Sequence, residues 1–126
     1  MRKLVAASGF ILVSFLSGCS KTDVPAETSD PDEWMQTHPA ARVDYVDYFT
    51  GNYIVNTSQG YAVVENWGGS TPSEGNTLYA YFQLTGMQTI YNRNGNFFAR
   101  GRVVANWLSW FEAYDILQNM AQRGFN

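Results

Sequence analysis

Glu65 and Glu74 are the residues best placed by type to do chemistry, since two carboxylates flanking a loop after Trp67 are the pair a glycoside hydrolase would use as acid and base. Carboxylate pairs in a small chain are more commonly solvated surface, and other catalytic equipment is thin. His38 is the single histidine and precedes Pro39 in a polar stretch, a poor position for a base. No HExxH, GxSxG or phosphate-loop spacing occurs, so no catalytic residue, metal or cofactor is expected. Glu112 and Asp115 stand three residues apart on one prospective helix, but Glu112 completes a capping box with Ser109.

Binding chemistry is better supplied. In residues 77–84, Leu78, Ala80, Phe82 and Leu84 alternate with Thr77, Tyr79, Tyr81 and Gln83. A strand of this kind has one apolar face and one polar-aromatic face. Tyr79 and Tyr81, joined by Tyr61 and Trp67 and bordered by Arg100 and Arg102, would make a platform for sugar rings or for a partner's apolar patch. The competing expectation is that the helix or the 43–49 segment covers this face and the rings are core. The loop of residues 68–76, with Gly68, Gly69, Glu74 and Gly75, is the second candidate binding element, because it exceeds ordinary hairpin length. A solvent loop crossing the end of a barrel is the commoner role for such a segment.

The elements that must position these residues follow from pattern. Residues 53–57 and 61–67 are rich in strand formers, separated by Ser58-Gln59-Gly60. Residues 87–91 and 97–107 flank Asn94-Gly95, a strong hairpin signal. Gly101 marks a bulge or tight bend in the second of these. Residues 43–49 fit a strand or a helical turn. Trp110, Ala113, Tyr114 and Leu117 recur at helical spacing, so a helix is expected over 109–123, ending at Gly124. The expectation is a mainly β (α+β) fold: an antiparallel meander of about five strands, an SH3-like or OB-like half-barrel, with one C-terminal helix.

Upstream the composition changes. Residues 20–41 are acidic and proline-bearing with few apolar side chains, which reads as a tether within a 19–41 linker before a 42–126 domain. Asp32-Glu33-Trp34-Met35-Gln36 fits either a short helical turn that docks Trp34 or a stray aromatic in the linker. Residues 1–18 begin with Arg2-Lys3, followed by 13 uncharged apolar or small residues, the organisation of an export signal. That run is too short to span a bilayer, which takes roughly 20 residues.

Leu16-Ser17-Gly18-Cys19 resembles the lipobox of bacterial lipoproteins, a resemblance confined to residues 1–19. It implies cleavage before Cys19 and a cysteine carrying diacylglycerol and an N-acyl chain, an anchor of several chains. Ser20, in place of aspartate, implies the outer membrane facing the periplasm in a Gram-negative envelope. The small residues before Cys19 also suit ordinary secretory cleavage.

Removing residues 1–18 from 126 leaves 108, enough for one small domain. Arg2 and Lys3 leave with the signal, so 6 basic groups face 11 acidic ones, net −5. That balance disfavours nucleic acid as a partner. Cys19 is the only cysteine, so the fold gains nothing from disulfides. The expected function is a membrane-anchored, non-enzymatic accessory module that contacts an envelope protein. The alternatives are glycan or peptidoglycan binding through the tyrosine face, and inhibition of an envelope hydrolase.

Overall fold

The computed structural model describes residues 30–123. The residue 1–18 signal, Cys19, the first part of the tether and Gly124 lie outside the described residues. Eight elements follow in order: α1 (Pro31–Thr37), β1 (Ala40–Val46), β2 (Tyr53–Thr57), β3 (Gly60–Gly68), β4 (Thr77–Tyr79), β5 (Gly86–Asn92), β6 (Phe97–Leu108) and α2 (Trp110–Arg123).

The strands close into an antiparallel barrel in the order β1-β2-β3-β6-β5-β4. This corrects the five-strand half-barrel: there are six strands, and β1 meets β4 through Ala40↔Tyr79, Ala41↔Leu78 and Arg42↔Thr77. The closing strands were obscure for two physical reasons. In β1, Asp44 is an extra residue between Val43↔Val55 and Tyr45↔Ile54. A bulge breaks two-residue alternation, so Val43 and Val46 both face the core although they are three apart. In β4, pairing stops at Tyr79, and Ala80 and Phe82 enter the core from a bend rather than from a strand. Leu84, expected on the same apolar face, is 58% exposed.

Two apolar clusters hold the molecule together. Inside the barrel lie Val43, Tyr53, Val55, Leu78, Phe82 and Ile90 with their neighbours. On the outer wall, Ile54 of β2 and Val63 of β3 meet Ala113 and Leu117 of α2. β2 and β3 are thus buried on both faces, which explains their nearly continuous apolar runs. α2 starts where its capping box dictates: Ser109 Oγ accepts from the Glu112 amide at 3.2 Å, and Glu112 Oε1 accepts from the Ser109 amide at 2.8 Å.

α1 lies within the segment read as tether, so ordered structure begins upstream of Arg42. Asp30 caps it, accepting from the Asp32 amide at 3.1 Å, and Pro31 opens its first turn. Trp34 docks it: its Nε1 donates to the Tyr79 carbonyl at 2.9 Å, and its ring stacks on His38 at 3.8 Å. The ring also meets Phe98 edge-on at 5.4 Å, so an aromatic with a satisfied N–H fixes the short helix against the wall.

The β3–β6 ladder is the most irregular, shifting register between Tyr61 and Val63, between Val63 and Val64, and between Asn66 and Gly68. Gly101 faces inward there; a Cβ would sit 2.7 Å from Val64 Cγ1 and 3.0 Å from Ile90 Cδ1, so glycine lets the walls approach. The β5–β6 loop takes its positive φ at Asn96 (58°) rather than at the Asn94-Gly95 pair, because Asn92↔Phe97 closes a four-residue connection.

Candidate functional site

The residues expected to form one aromatic platform are distributed over three regions. Tyr61 lies under α2, its ring 5.5 Å from Trp110 in an edge-to-face contact. Tyr79 and Tyr81 belong to the opposite wall beside α1. The Tyr81 hydroxyl donates to the Thr37 carbonyl at 3.0 Å, and His38 packs on the Tyr81 ring at 4.4 Å. Trp67 stands apart on β3, 61% exposed. Arg100 and Arg102 project from β6, and the ladder sets Arg102 directly opposite Glu65.

The 68–76 loop is less free than its composition suggests. Gly68 ends β3, and Gly69 adopts φ 89° against Ala99, where a Cβ would come within 2.9 Å of the Ala99 Cβ. The loop's second half is bound to β1. Gly75 N–H donates to the Val43 carbonyl at 2.8 Å, and Glu74 Oε2 accepts from the Val46 amide at 3.1 Å. Pro72 is buried at the barrel end. The space below it, between Tyr53, Leu78 and Ile90, is only about 10 Å³, room for a water at most.

Glu65 and Glu74 are therefore committed to different partners, Glu74 to β1 backbone and Glu65 to a side-chain cluster. Glu65 Oε1 accepts from Trp67 Nε1 at 2.8 Å and from Arg102 Nε at 2.9 Å. Burial pushes the Glu65 pKa up, but those two hydrogen bonds and the Arg102 charge outweigh it and hold the carboxyl below its usual value. The backbone explains how the cluster forms. Trp67 is the extra residue where Asn66↔Gly101 passes to Gly68↔Arg100. A bulge re-aims a side chain, and here the indole N–H meets the carboxylate two residues earlier.

This cluster borders an open cleft of about 460 Å³, lined by Thr50, Asn52, Glu65, Asn66, Arg102, Val104, Met120 and Arg123. Its floor is fixed, because Asn52 is only 8% exposed and its Oδ1 accepts from the Asn66 amide at 3.0 Å. The adjacent β1–β2 turn presents Tyr48 and Phe49, both largely exposed. The size lies within the range of small-ligand sites, and the lining is hydroxyl, amide, carboxylate and guanidinium. Such a wall offers directional hydrogen bonds in both senses.

Of the sequence candidates, Trp67 and Arg102 meet here, with Glu65. Asn52, Asn66 and Thr50 were not anticipated, since they converge only through turns at one barrel end. Among the described residues, no group of three or more His, Cys, Asp or Glu could hold a metal ion, and no helix is long and apolar enough to cross a membrane. No family model matches this chain, and no curated protein or solved structure matches it.

Proposed function

We propose that this chain is a lipid-anchored envelope module that binds rather than transforms its ligand, and that the ligand is a saccharide seated beside Trp67. One observation carries the reading: a single carboxylate oxygen fixes both an exposed indole and a guanidinium at the edge of a polar cleft. An exposed tryptophan normally loses rotamer freedom on binding. Here the hydrogen bond to Glu65 has already restricted it. An indole face suits the apolar face of a sugar ring, and the neighbouring Asn, Thr and Arg groups suit its hydroxyls.

The anchor is Cys19, and Ser20 puts the module on the outer membrane facing the periplasm, where cell-wall glycan is the abundant polymer. An accessory module touching an envelope protein is the second reading, favoured by the exposed Trp107 and Phe111 at the other end of the molecule. Inhibition of a hydrolase through the 68–76 loop has less support, because Glu74 and Gly75 are spent on β1.

The test is calorimetric titration of the purified full-length protein with N-acetylglucosamine oligomers and with a muropeptide digest of cell wall. Binding that Trp67→Ala weakens by tenfold or more, and Tyr79→Ala leaves unchanged, supports the cleft. Equal affinity in the Trp67 variant, or no heat with any saccharide, removes it.

A further inference from the structure

The two neighbours of β5 cover it unequally. β6 pairs with it from Gly86 to Asn92, whereas β4 reaches only Tyr91 and Asn92. Beyond Tyr79 the chain leaves β5: the Ala80 amide donates to the Pro39 carbonyl at 3.2 Å, and Phe82 turns into the barrel. The edge left over runs from Gly86 to Ile90.

The ladder determines which groups lie on that edge. Along an antiparallel strand, residues turn their N–H and C=O to one neighbour and then to the other in alternation. The Arg93 amide donates to the Thr77 carbonyl at 3.0 Å, so Arg93 faces β4. Counting back in twos, Tyr91, Thr89 and Met87 face the same way. Tyr91 has Tyr79 opposite it, but Met87 and Thr89 have no strand opposite, and their N–H and C=O groups have no partner among the described residues. The surroundings are open and uncharged. Met87 is 41% exposed, and a Cβ placed on Gly86 would meet nothing within 4 Å. Residues 84–90 hold no charge and no proline, and β5 pairs with β6 without a register shift. Strand edges that stay single are ordinarily guarded by lysine, proline or a bulge. This one has none of them.

We infer that this edge joins a second copy of the chain, the two β5 strands pairing antiparallel about a two-fold axis at Gln88. Three features select a second copy. The first is register. With the axis at Gln88, Met87 of each copy lies opposite Thr89 of the other, and both are residues that face the open side. Each such pair can exchange both of its N–H···O=C bonds, so neither edge keeps an unpaired group at these positions. The second is the residue on the axis, which must meet itself. Glutamine is suited to that, because its amide both donates and accepts. Gln88 Nε2 reaches the Leu84 carbonyl at 3.4 Å, and its Oε1 accepts nothing among the described residues. The third is order. β6 already holds β5 extended, whereas a loose peptide would lose its backbone freedom for the same few bonds. The nearest charges do not oppose the pairing. Arg100 and Arg102 stand on β6 opposite Thr89 and Met87. The β6 strands of the two copies would lie three strand spacings apart, about 14 Å, beyond a Debye length of about 8 Å.

The experiment keeps the chain full-length and in its own membrane. Cys19 is the only cysteine, so each added cysteine is compared with the wild type. Opposed residues that are not hydrogen-bonded have Cα atoms about 4.5 Å apart, within disulfide range. Under mild oxidation most Gln88→Cys protein should therefore move to twice the monomer mass on a non-reducing gel. Ser58→Cys, exposed on the β2–β3 turn, should not. Adding Met87→Lys, which sets a charge beside the axis, should abolish the Gln88→Cys dimer while leaving the melting temperature within a few degrees. Sedimentation of the wild type in density-matched detergent needs no cysteine and should give the dimer mass, which Met87→Lys halves. A monomeric wild type overturns the inference, as does a dimer that survives Met87→Lys or forms equally through Ser58→Cys. Gln88→Cys joined to a different protein overturns it too, and would make the edge a docking strand for a foreign peptide.

Discussion

If Glu65 is the organiser of the cleft, its removal must act on two neighbours at once, and that is measurable as coupling. The Glu65–Arg102 pair is partly solvated, with side chains 31% and 45% exposed. Solvent-exposed ion pairs contribute about 0.2–1 kcal/mol, so about 0.5 kcal/mol is the reasonable figure here. The indole bond to the same oxygen adds a comparable amount, discounted for its exposure, and Glu65→Ala should cost about 1 kcal/mol in all. For a domain of this size that lowers the melting temperature by roughly 4–8 °C. Urea denaturation of Glu65→Ala, Arg102→Ala and the double variant at pH 7 should give a coupling energy of about 0.5 kcal/mol. A parallel cycle with Trp67→Phe should give a similar value. The pH dependence has a definite sign. The folded Glu65 pKa lies below its ordinary 4.5, so its stabilisation is complete above that value and is lost as pH falls through the folded value. Coupling present at pH 7 and gone in strong acid is the expected pattern. Zero coupling at pH 7 in both cycles would show that the carboxylate does not hold the cluster, and the argument for a pre-set indole would fail with it.

Two further outcomes test the frame around the cleft. Ser109→Ala removes one half of the reciprocal cap on α2 and should destabilise the domain by about 1 kcal/mol, read as an earlier urea midpoint with an unchanged slope. Burial raises the Tyr53 pKa far above its ordinary 10.0. The unfolded chain therefore loses this proton first, stability falls as pH rises above about 10, and Tyr53→Phe should flatten that alkaline decline in a denaturation series.

Local features were legible in the sequence and long-range ones were not. Ser109 and Glu112 announced the start of α2 because a cap is made within four residues. The alternation at Leu78, Ala80 and Phe82 marked core correctly, although only residues 77–79 pair as strand. The bulge at Asp44 concealed β1, since one extra residue turns a period of two into something resembling a helical turn. With β1 obscure, closure could not be inferred, and without closure Tyr79 and Tyr61 could be imagined on one face. The barrel order separates them: β3 pairs with β2 and β6, and β4 with β1 and β5. Trp67 and Arg102 were both read as candidates for a binding face, but their link through Glu65 depends on the β3–β6 register, which residue types alone do not encode.

Closure has a last consequence, for molecules living side by side. An open sheet offers its outermost backbone to any neighbour, and proteins concentrated on a surface meet their own kind constantly. In this barrel each strand has a partner on both sides, even though β4 supplies only three residues to complete the ring. Only Gly86 to Ile90 of β5, which β4 does not reach, keep a short stretch of backbone on which a second molecule could extend the sheet. Closure therefore leaves little backbone for strand-to-strand association between copies, and confines it to one short segment.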